Sequence, residues 1–146
     1  MSQYYDDPRR CGAVAVVARE GRFLVIRRSD EVIAPGMICF PGGGIEGEES
    51  EEETLVREIR EELGVTITPV RRIWRSVTPW NVELAWWLGR IDNGQPFAPN
   101  PAEVASIHWV STGEMRELPN LLESMHHFLD ALEAGEIELD RKALWS

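Results

Sequence analysis

Three glutamates near the middle of the chain, Glu58, Glu61 and Glu62, are spaced so that on a helix their carboxylates point to one place. They belong to GGGIEGEESEEETLVREIREELGV, residues 42–65, which carries nine glutamates, two arginines and no lysine. Like charges at this spacing repel by roughly 0.2–0.5 kcal/mol per pair, which favours a positive charge bound among them. Because carboxylate oxygens suit hard cations, the spacing predicts a site for Mg²⁺ or Mn²⁺.

The helix that must carry these glutamates has sequence signals at both ends. Ser50 and Glu53 match a capping box, and Gly64 is typical of the residue that follows a helix. The pattern predicts a helix over residues 50–63, with Arg57 on another side of the helical wheel from the three glutamates. Its apolar arc is formed by Leu55, Val56, Ile59 and Leu63. We expect the remaining glutamates to be mostly solvated partners of the helix dipole: Glu46, Glu48, Glu51, Glu52 and Glu53.

The other apolar runs predict the elements around this helix. Residues 11–18 and 22–28 are β-branched runs joined at Glu20-Gly21, which indicates a strand–turn–strand unit. A second amphipathic helix is predicted over residues 119–135, with proline first and glycine last. Further strands are predicted over residues 66–77, 82–91 and 106–110. Strands interrupted by helices favour an α/β fold, an α/β/α sandwich around a mixed β-sheet.

Composition limits the classes of function. The chain has 146 residues and a formal net charge of −10, which fits one domain and makes a polynucleotide an unfavourable partner. An acidic protein that binds an anionic substrate needs a metal ion between the two. The first ten residues lack the apolar region of a signal peptide, and no apolar run is long enough to cross a membrane, so we expect a cytoplasmic protein. Cys11 and Cys39 are expected to be reduced, buried thiols.

The glutamate segment also resembles a known sequence motif. The segment matches the Nudix box without a gap. Gly43 is followed after five residues by Glu49, and Glu49 is followed after seven residues by residues 57–65. The resemblance continues in the preceding apolar hairpin, the PGG sequence and the segment from Glu103 to Val110, and covers roughly residues 10–132 of a single predicted domain, 1–146. Two positions depart from the family pattern: Ile38 stands where a tryptophan is frequent, and Gly47-Glu48 replaces the Pro-Gly before Glu49.

The resemblance implies a nucleotide hydrolase. Nudix enzymes cleave nucleoside diphosphates linked to another group, with Mg²⁺ or Mn²⁺ held on this loop and helix. Carried over by position, the metal ligands would be Glu58, Glu61, Glu62 and the carbonyl of Gly43, with Glu103 as a further ligand or base. Arg57 and Glu49 would form an ion pair that fixes the catalytic loop. Which glutamate takes the proton from the attacking water stays open.

Two residues outside the box are candidates to bind substrate. Arg28, beside Arg27 at the end of a predicted strand, could contact phosphate, although solvation of a surface arginine explains it equally well. Trp80 follows Pro79 in a predicted loop and could stack on a base. Different positions are predicted for the other internal tryptophans. Trp74 and Trp109 are expected in the core, and the adjacent Trp86 and Trp87 on opposite faces of a strand.

The resemblance leaves the substrate open. A compact domain with little beyond the box is most similar to enzymes that convert a nucleoside triphosphate, including oxidised ones, to a monophosphate and pyrophosphate. Pro79 lies 14 residues after Val65, near a proline frequent in ADP-ribose pyrophosphatases, so ADP-ribose or a nucleotide sugar is the alternative. Capped RNA is less favoured, since no basic tract is present. A catalytically silent nucleotide-binding module is the alternative of another class, and a homodimer is left open.

Overall fold

A computed structural model describes residues 10–139, and its first layer is a mixed four-stranded sheet. Its strands are β1 (Arg10–Val16), β5 (Gly42–Gly44), β6 (Thr68–Val77) and β7 (Val82–Arg90), in the order β5-β1-β7-β6. β1 runs parallel to β7 and antiparallel to β5, and β6 pairs antiparallel with β7. The glycines of β5 therefore lie at one edge of this sheet.

A second, antiparallel sheet is built on β3 (Arg22–Arg28). It also contains β2 (Ala18–Arg19), β4 (Ile38–Cys39) and β8 (Val104–Val110). The predicted turn at Glu20-Gly21 and the strand after it are confirmed. The first run is divided between the sheets, because the chain leaves the mixed sheet after Val16 and residues 17–19 bond to β3 instead. The apolar run continues through the change of sheet since its residues are buried in both, so hydrophobicity alone did not mark the boundary.

Three helices complete the described part: α1 (Glu51–Leu63), α2 (Thr112–Arg116) and α3 (Glu123–Glu133). The signals predicted for α1 are confirmed, because Ser50 caps it in a capping box and Gly64 ends it with a left-handed φ of 69°. The predicted start of the second helix at residue 119 is wrong. Residues 119–120 form a turn, and Leu121 then makes a parallel bridge with Ile38 that holds it against β4.

The core confirms the α/β/α arrangement around a mixed sheet. The helix α1 packs against β1, β5 and β6, and it receives a hydrogen bond from the indole of Trp87 on β7. Trp86, the residue before Trp87, points to the opposite face of the sheet. There the Trp86 ring stacks on Phe128 of α3 at a centroid distance of 5.1 Å. Phe128 also contacts Phe40 and Phe23, so it joins the mixed sheet to the second sheet.

Several smaller expectations are also settled by the described residues. Cys39 is buried, but Cys11 is exposed because the first two residues of β1 extend beyond the core, so the expectation of two buried thiols is wrong for Cys11. Trp74 and Trp109 are only partly buried, although both pack against the core. Across residues 10–139, each helix is too short or too polar to cross a membrane.

Candidate functional site

The carboxylates of α1 approach the glycine-rich strand β5 at two points. Glu62, only 6% exposed, accepts a hydrogen bond from the backbone N–H of Gly42 at 3.0 Å. Glu58 lies so close to Gly43 that a Cβ atom at that position would overlap its carboxylate. Glycine is therefore required at Gly43 for space, because only the absence of a Cβ lets the Glu58 carboxylate lie against the sheet edge.

Three buried or half-buried carboxylates form what we call the acidic cluster: Glu58, Glu62 and Glu103. Burial, followed by the charges of Glu58 and Glu103, raises the pKa of Glu62 from 4.5 to about 8. Burial is also the main cause that raises the pKa of Glu58, with contributions from Glu61 and Glu103. One carboxylate oxygen of Glu103 is buried and has no hydrogen-bond partner. A positive charge is needed to make this cluster favourable at neutral pH.

Arg57 forms the predicted ion pair with Glu49. Its Nε and Nη2 donate to the two carboxylate oxygens of Glu49 at 2.7 and 2.9 Å, and Nη2 also donates to the carbonyl of Gly44. Hydrogen bonds from Arg57 are the main cause that lowers the pKa of Glu49 to about 2. The loop before α1 is thereby fixed to the helix at a bidentate contact.

The expectation that Arg57 would lie apart from the three helix glutamates is wrong. Its Nη1 donates to Glu58 at 2.9 Å and to Glu61 at 3.3 Å, because the long guanidinium side chain reaches neighbours one and four residues away. Glu61 is half exposed and contacts this guanidinium at the outer side of the cluster. The structure thus brings Glu58 and Glu62 onto the sheet edge and leaves Glu61 farther out.

The donor set of this site fits a divalent cation. Carboxylate oxygens are the ligands that Mg²⁺ and Mn²⁺ prefer, and the unpaired oxygen of Glu103 and the raised pKa of Glu62 both indicate missing positive charge. Within residues 10–139, no three acidic, histidine or cysteine side chains are yet grouped closely enough to hold a metal ion. A cation would therefore have to draw the carboxylates together and replace Arg57 as their nearest positive charge.

The two predicted substrate-binding residues lie in different surroundings. Arg28 is half-buried beside the cluster: its charge acts on Glu62, its Nε donates to the carbonyl of Ile33 at 2.6 Å, and Nη1 lies 4.0 Å from Cys39 Sγ. Burial raises the pKa of that thiol to about 11. Trp80 is 55% exposed in the turn between β6 and β7, which the strand register places well beyond Gly43. Its stacking on a base stays a prediction.

Sequence reasoning missed the role of Glu51, which was expected to be solvated. Its carboxylate accepts hydrogen bonds from Trp87 Nε1 at 2.7 Å, Arg75 Nη2 at 2.8 Å and Arg72 Nη1 at 3.4 Å. The signal was present in the sequence. At 100° per residue, Glu51 falls on the same side of the helix as Leu55, Glu58 and Glu62, within an arc of about 60°.

Comparison with known proteins gives the family. The model of the NUDIX domain matches residues 8–132. The chain therefore belongs to the Nudix family, which confirms the resemblance of its glutamate segment. The MutT protein of Methanosarcina mazei Go1 has the same fold, with a TM-score of 0.75 over 91% of this chain and 99% of that one, at 21% identity.

Two relatives with named activities are similar over parts of their length. The NAD-capped RNA hydrolase NudC of Stutzerimonas stutzeri is 31% identical over 117 residues, which are 80% of this chain and 41% of that protein. The CTP pyrophosphohydrolase of Escherichia coli is 41% identical over 54 residues, 37% of this chain and 40% of that protein. The chain thus spans less than half of either relative, and their names point to different substrates.

Proposed function

We propose that this protein is a metal-dependent hydrolase that cleaves the pyrophosphate linkage of a nucleoside diphosphate joined to another group. The observation that carries the proposal is the acidic cluster, in which Glu58 and Glu62 are held at a glycine-lined sheet edge and feel the charge of Glu103, one oxygen of which has no hydrogen-bond partner. Burial and mutual repulsion of these carboxylates cost folding free energy even with Arg57 and Arg28 nearby, which favours a functional reason for the arrangement. Membership of the Nudix family and one continuous domain over the matched residues support the same proposal.

The residues have separate tasks in this proposal. Glu58, Glu61, Glu62, Glu103 and the carbonyl of Gly43 would hold Mg²⁺ or Mn²⁺. When bound there, such an ion would supply positive charge to the pyrophosphate oxygens and lower the pKa of the attacking water. Arg57 and Glu49 would fix the position of the loop relative to the helix by their bidentate contact.

Proton transfer belongs to the same carboxylates. The proton of the attacking water would go to one of these glutamates that does not ligate the ion, with Glu103 able to serve as either ligand or base. Arg28 would contact the anionic substrate, a role supported by the effect of its charge on Glu62, where it favours the ionised form.

The substrate we favour is a nucleoside triphosphate, cleaved to a monophosphate and pyrophosphate. The chain's acidic charge of −10 disfavours a polynucleotide, whereas a small triphosphate carries its own metal ion into an acidic site. ADP-ribose or a nucleotide sugar is the alternative, which would place more of the binding energy at the turn that carries Pro79 and Trp80.

A product screen tests this proposal. The protein would be incubated with Mg²⁺ or Mn²⁺ and with normal and oxidised nucleoside triphosphates, ADP-ribose, dinucleoside polyphosphates and nucleotide sugars, with Glu61→Gln as a matched blank. Monophosphate plus pyrophosphate is the expected result. AMP plus ribose phosphate would transfer the assignment to the ADP-ribose class. Binding of nucleotide without any product across the panel would contradict hydrolysis and indicate a nucleotide-binding module.

A further inference from the structure

A network of charged and aromatic side chains joins the first turn of α1 to the mixed sheet. Glu51, the first residue of the helix, accepts hydrogen bonds from Trp87 on β7 and from Arg75 and Arg72 on β6. Arg75 is itself held by Glu83 on the neighbouring strand, at 2.5 Å. Although partial burial raises the pKa of Glu51, these partners together lower it, so the group stays ionised and paired.

The position of Glu51 on the helix gives this network a consequence for the distant carboxylates. Glu51, Glu58 and Glu62 share the sheet-facing side of α1, so a rotation of the helix moves all of them together. With side chains extending about 5–6 Å from the helix axis, a rotation of roughly 10° displaces a carboxylate by about 1 Å. A displacement of that size in a catalytic group can lower turnover about 100-fold.

The opposite end of the helix is held by a different contact. Glu62 accepts from the backbone N–H of Gly42 at 3.0 Å, and Glu58 is confined against Gly43. Eleven residues separate Glu51 from Glu62, which is about 16 Å along a helix. Two anchors at this distance on one face add directional contacts to the apolar packing, and together they restrict the rotation of the helix about its axis.

We propose that Glu51 is a positioning residue that, through Trp87, Arg75 and Arg72, sets the rotation of α1 and thereby aims Glu58 and Glu62 at the β5 edge. The expected effect of Glu51 on turnover rests on the proposed function. Its expected effect on the orientation of α1 does not depend on any activity.

The test compares Glu51→Gln with Trp87→Phe, which keeps an aromatic ring at this position but removes the indole N–H together with the second ring. Glu52→Gln is the matched control, because Glu52 is the exposed neighbour on the same turn. The first readout is the amide NMR signal and hydrogen exchange of Gly42 in the metal-free protein. The second is Mn²⁺ affinity by calorimetry, and the third is kcat separated from KM.

Both variants are expected to shift the Gly42 signal, to weaken Mn²⁺ binding about 10-fold and to lower kcat with little change in KM. The double variant should lose less than the sum of the two single losses, since both changes weaken the same network around Glu51. An unchanged Gly42 signal in both variants would overturn the proposal, even if the unfolding midpoint fell, because Glu51 would then only stabilise the fold. A shifted signal in a protein that hydrolyses nothing would support Glu51 as a positioning residue while contradicting the proposed function.

Discussion

The protonation of Glu62 should depend on whether a cation is bound at the site. Its carboxyl group is buried beside two other carboxylates, and its pKa is raised to about 8. In the metal-free protein much of this group is therefore protonated at neutral pH. A bound cation would favour the ionised form, so metal binding should release protons and strengthen as the pH rises.

The stability of the metal-free protein should reflect the same group. A pKa raised from 4.5 to about 8 contributes stability that is fully present below pH 4.5 and is lost as the pH rises toward 8. Each unit of pKa shift corresponds to about 1.4 kcal/mol. Over this pH range the free energy of unfolding of wild type should therefore fall by on the order of a few kcal/mol relative to that of Glu62→Gln. Urea unfolding at pH values between 5 and 8 with a chelator present measures the difference, with Glu52→Gln as control. Parallel pH profiles for wild type and Glu62→Gln would contradict the raised pKa.

Individual site residues differed in how far the sequence could predict them. Glu58 and Glu62 follow from spacing, since i and i+4 positions share a helix face, and Arg57 with Glu49 follows from the resemblance. The contact of Arg57 with Glu61 could have followed from the same i, i+4 spacing, whereas its contact with the adjacent Glu58 depends on the reach of a long side chain that a wheel does not show. Glu51 was missed because its partners lie 21 to 36 residues away on two other strands.

At the scale of elements, the approach of α1 to β5 is the contact that builds the site. A Cβ at Gly43 would overlap the Glu58 carboxylate, whereas a Cβ at Gly44 would meet nothing closer than the Cys11 carbonyl at 4.0 Å. Gly43→Ala should therefore displace Glu58 and lower kcat about 100-fold, with the fold retained. Steady-state kinetics and a thermal unfolding scan measure both effects. Gly44→Ala is the matched control, and equal activity of the two variants would show that Glu58 need not sit against β5.

The elements themselves were predictable where local chemistry defines their ends. The helix α1 has a capping box and a C-terminal glycine, and its bounds agree with the prediction to one residue. The start of α3 was misplaced because Leu121 pairs with Ile38, more than eighty residues earlier in the chain. The division of the first apolar run between two sheets likewise depends on distant strands, β7 for one part and β3 for the other.

At the scale of the whole molecule, Phe128 holds the layers together. It is fully buried and contacts Trp86 and Trp74 of the mixed sheet as well as Phe23 of the second sheet. Phe128→Ala should lower the free energy of unfolding by about 3–5 kcal/mol through lost burial and a cavity. Urea unfolding followed by tryptophan fluorescence and by circular dichroism measures this loss. Phe97→Ala, at a partly buried ring, serves as control, and a similar loss in both variants would contradict a central role for Phe128.

The most direct test of the account is the metal-dependent turnover of Glu58→Gln, a change that keeps the shape of the side chain and removes its charge. Wild type, Glu58→Gln and the exposed control Glu52→Gln would be assayed on the same nucleoside triphosphate across a range of Mg²⁺ concentrations. We expect Glu52→Gln to match wild type and Glu58→Gln to lose at least about 100-fold in kcat while its unfolding midpoint stays equal or rises, because a buried charge is removed. Full Mg²⁺-dependent turnover in Glu58→Gln would contradict the assignment of catalysis to the acidic cluster.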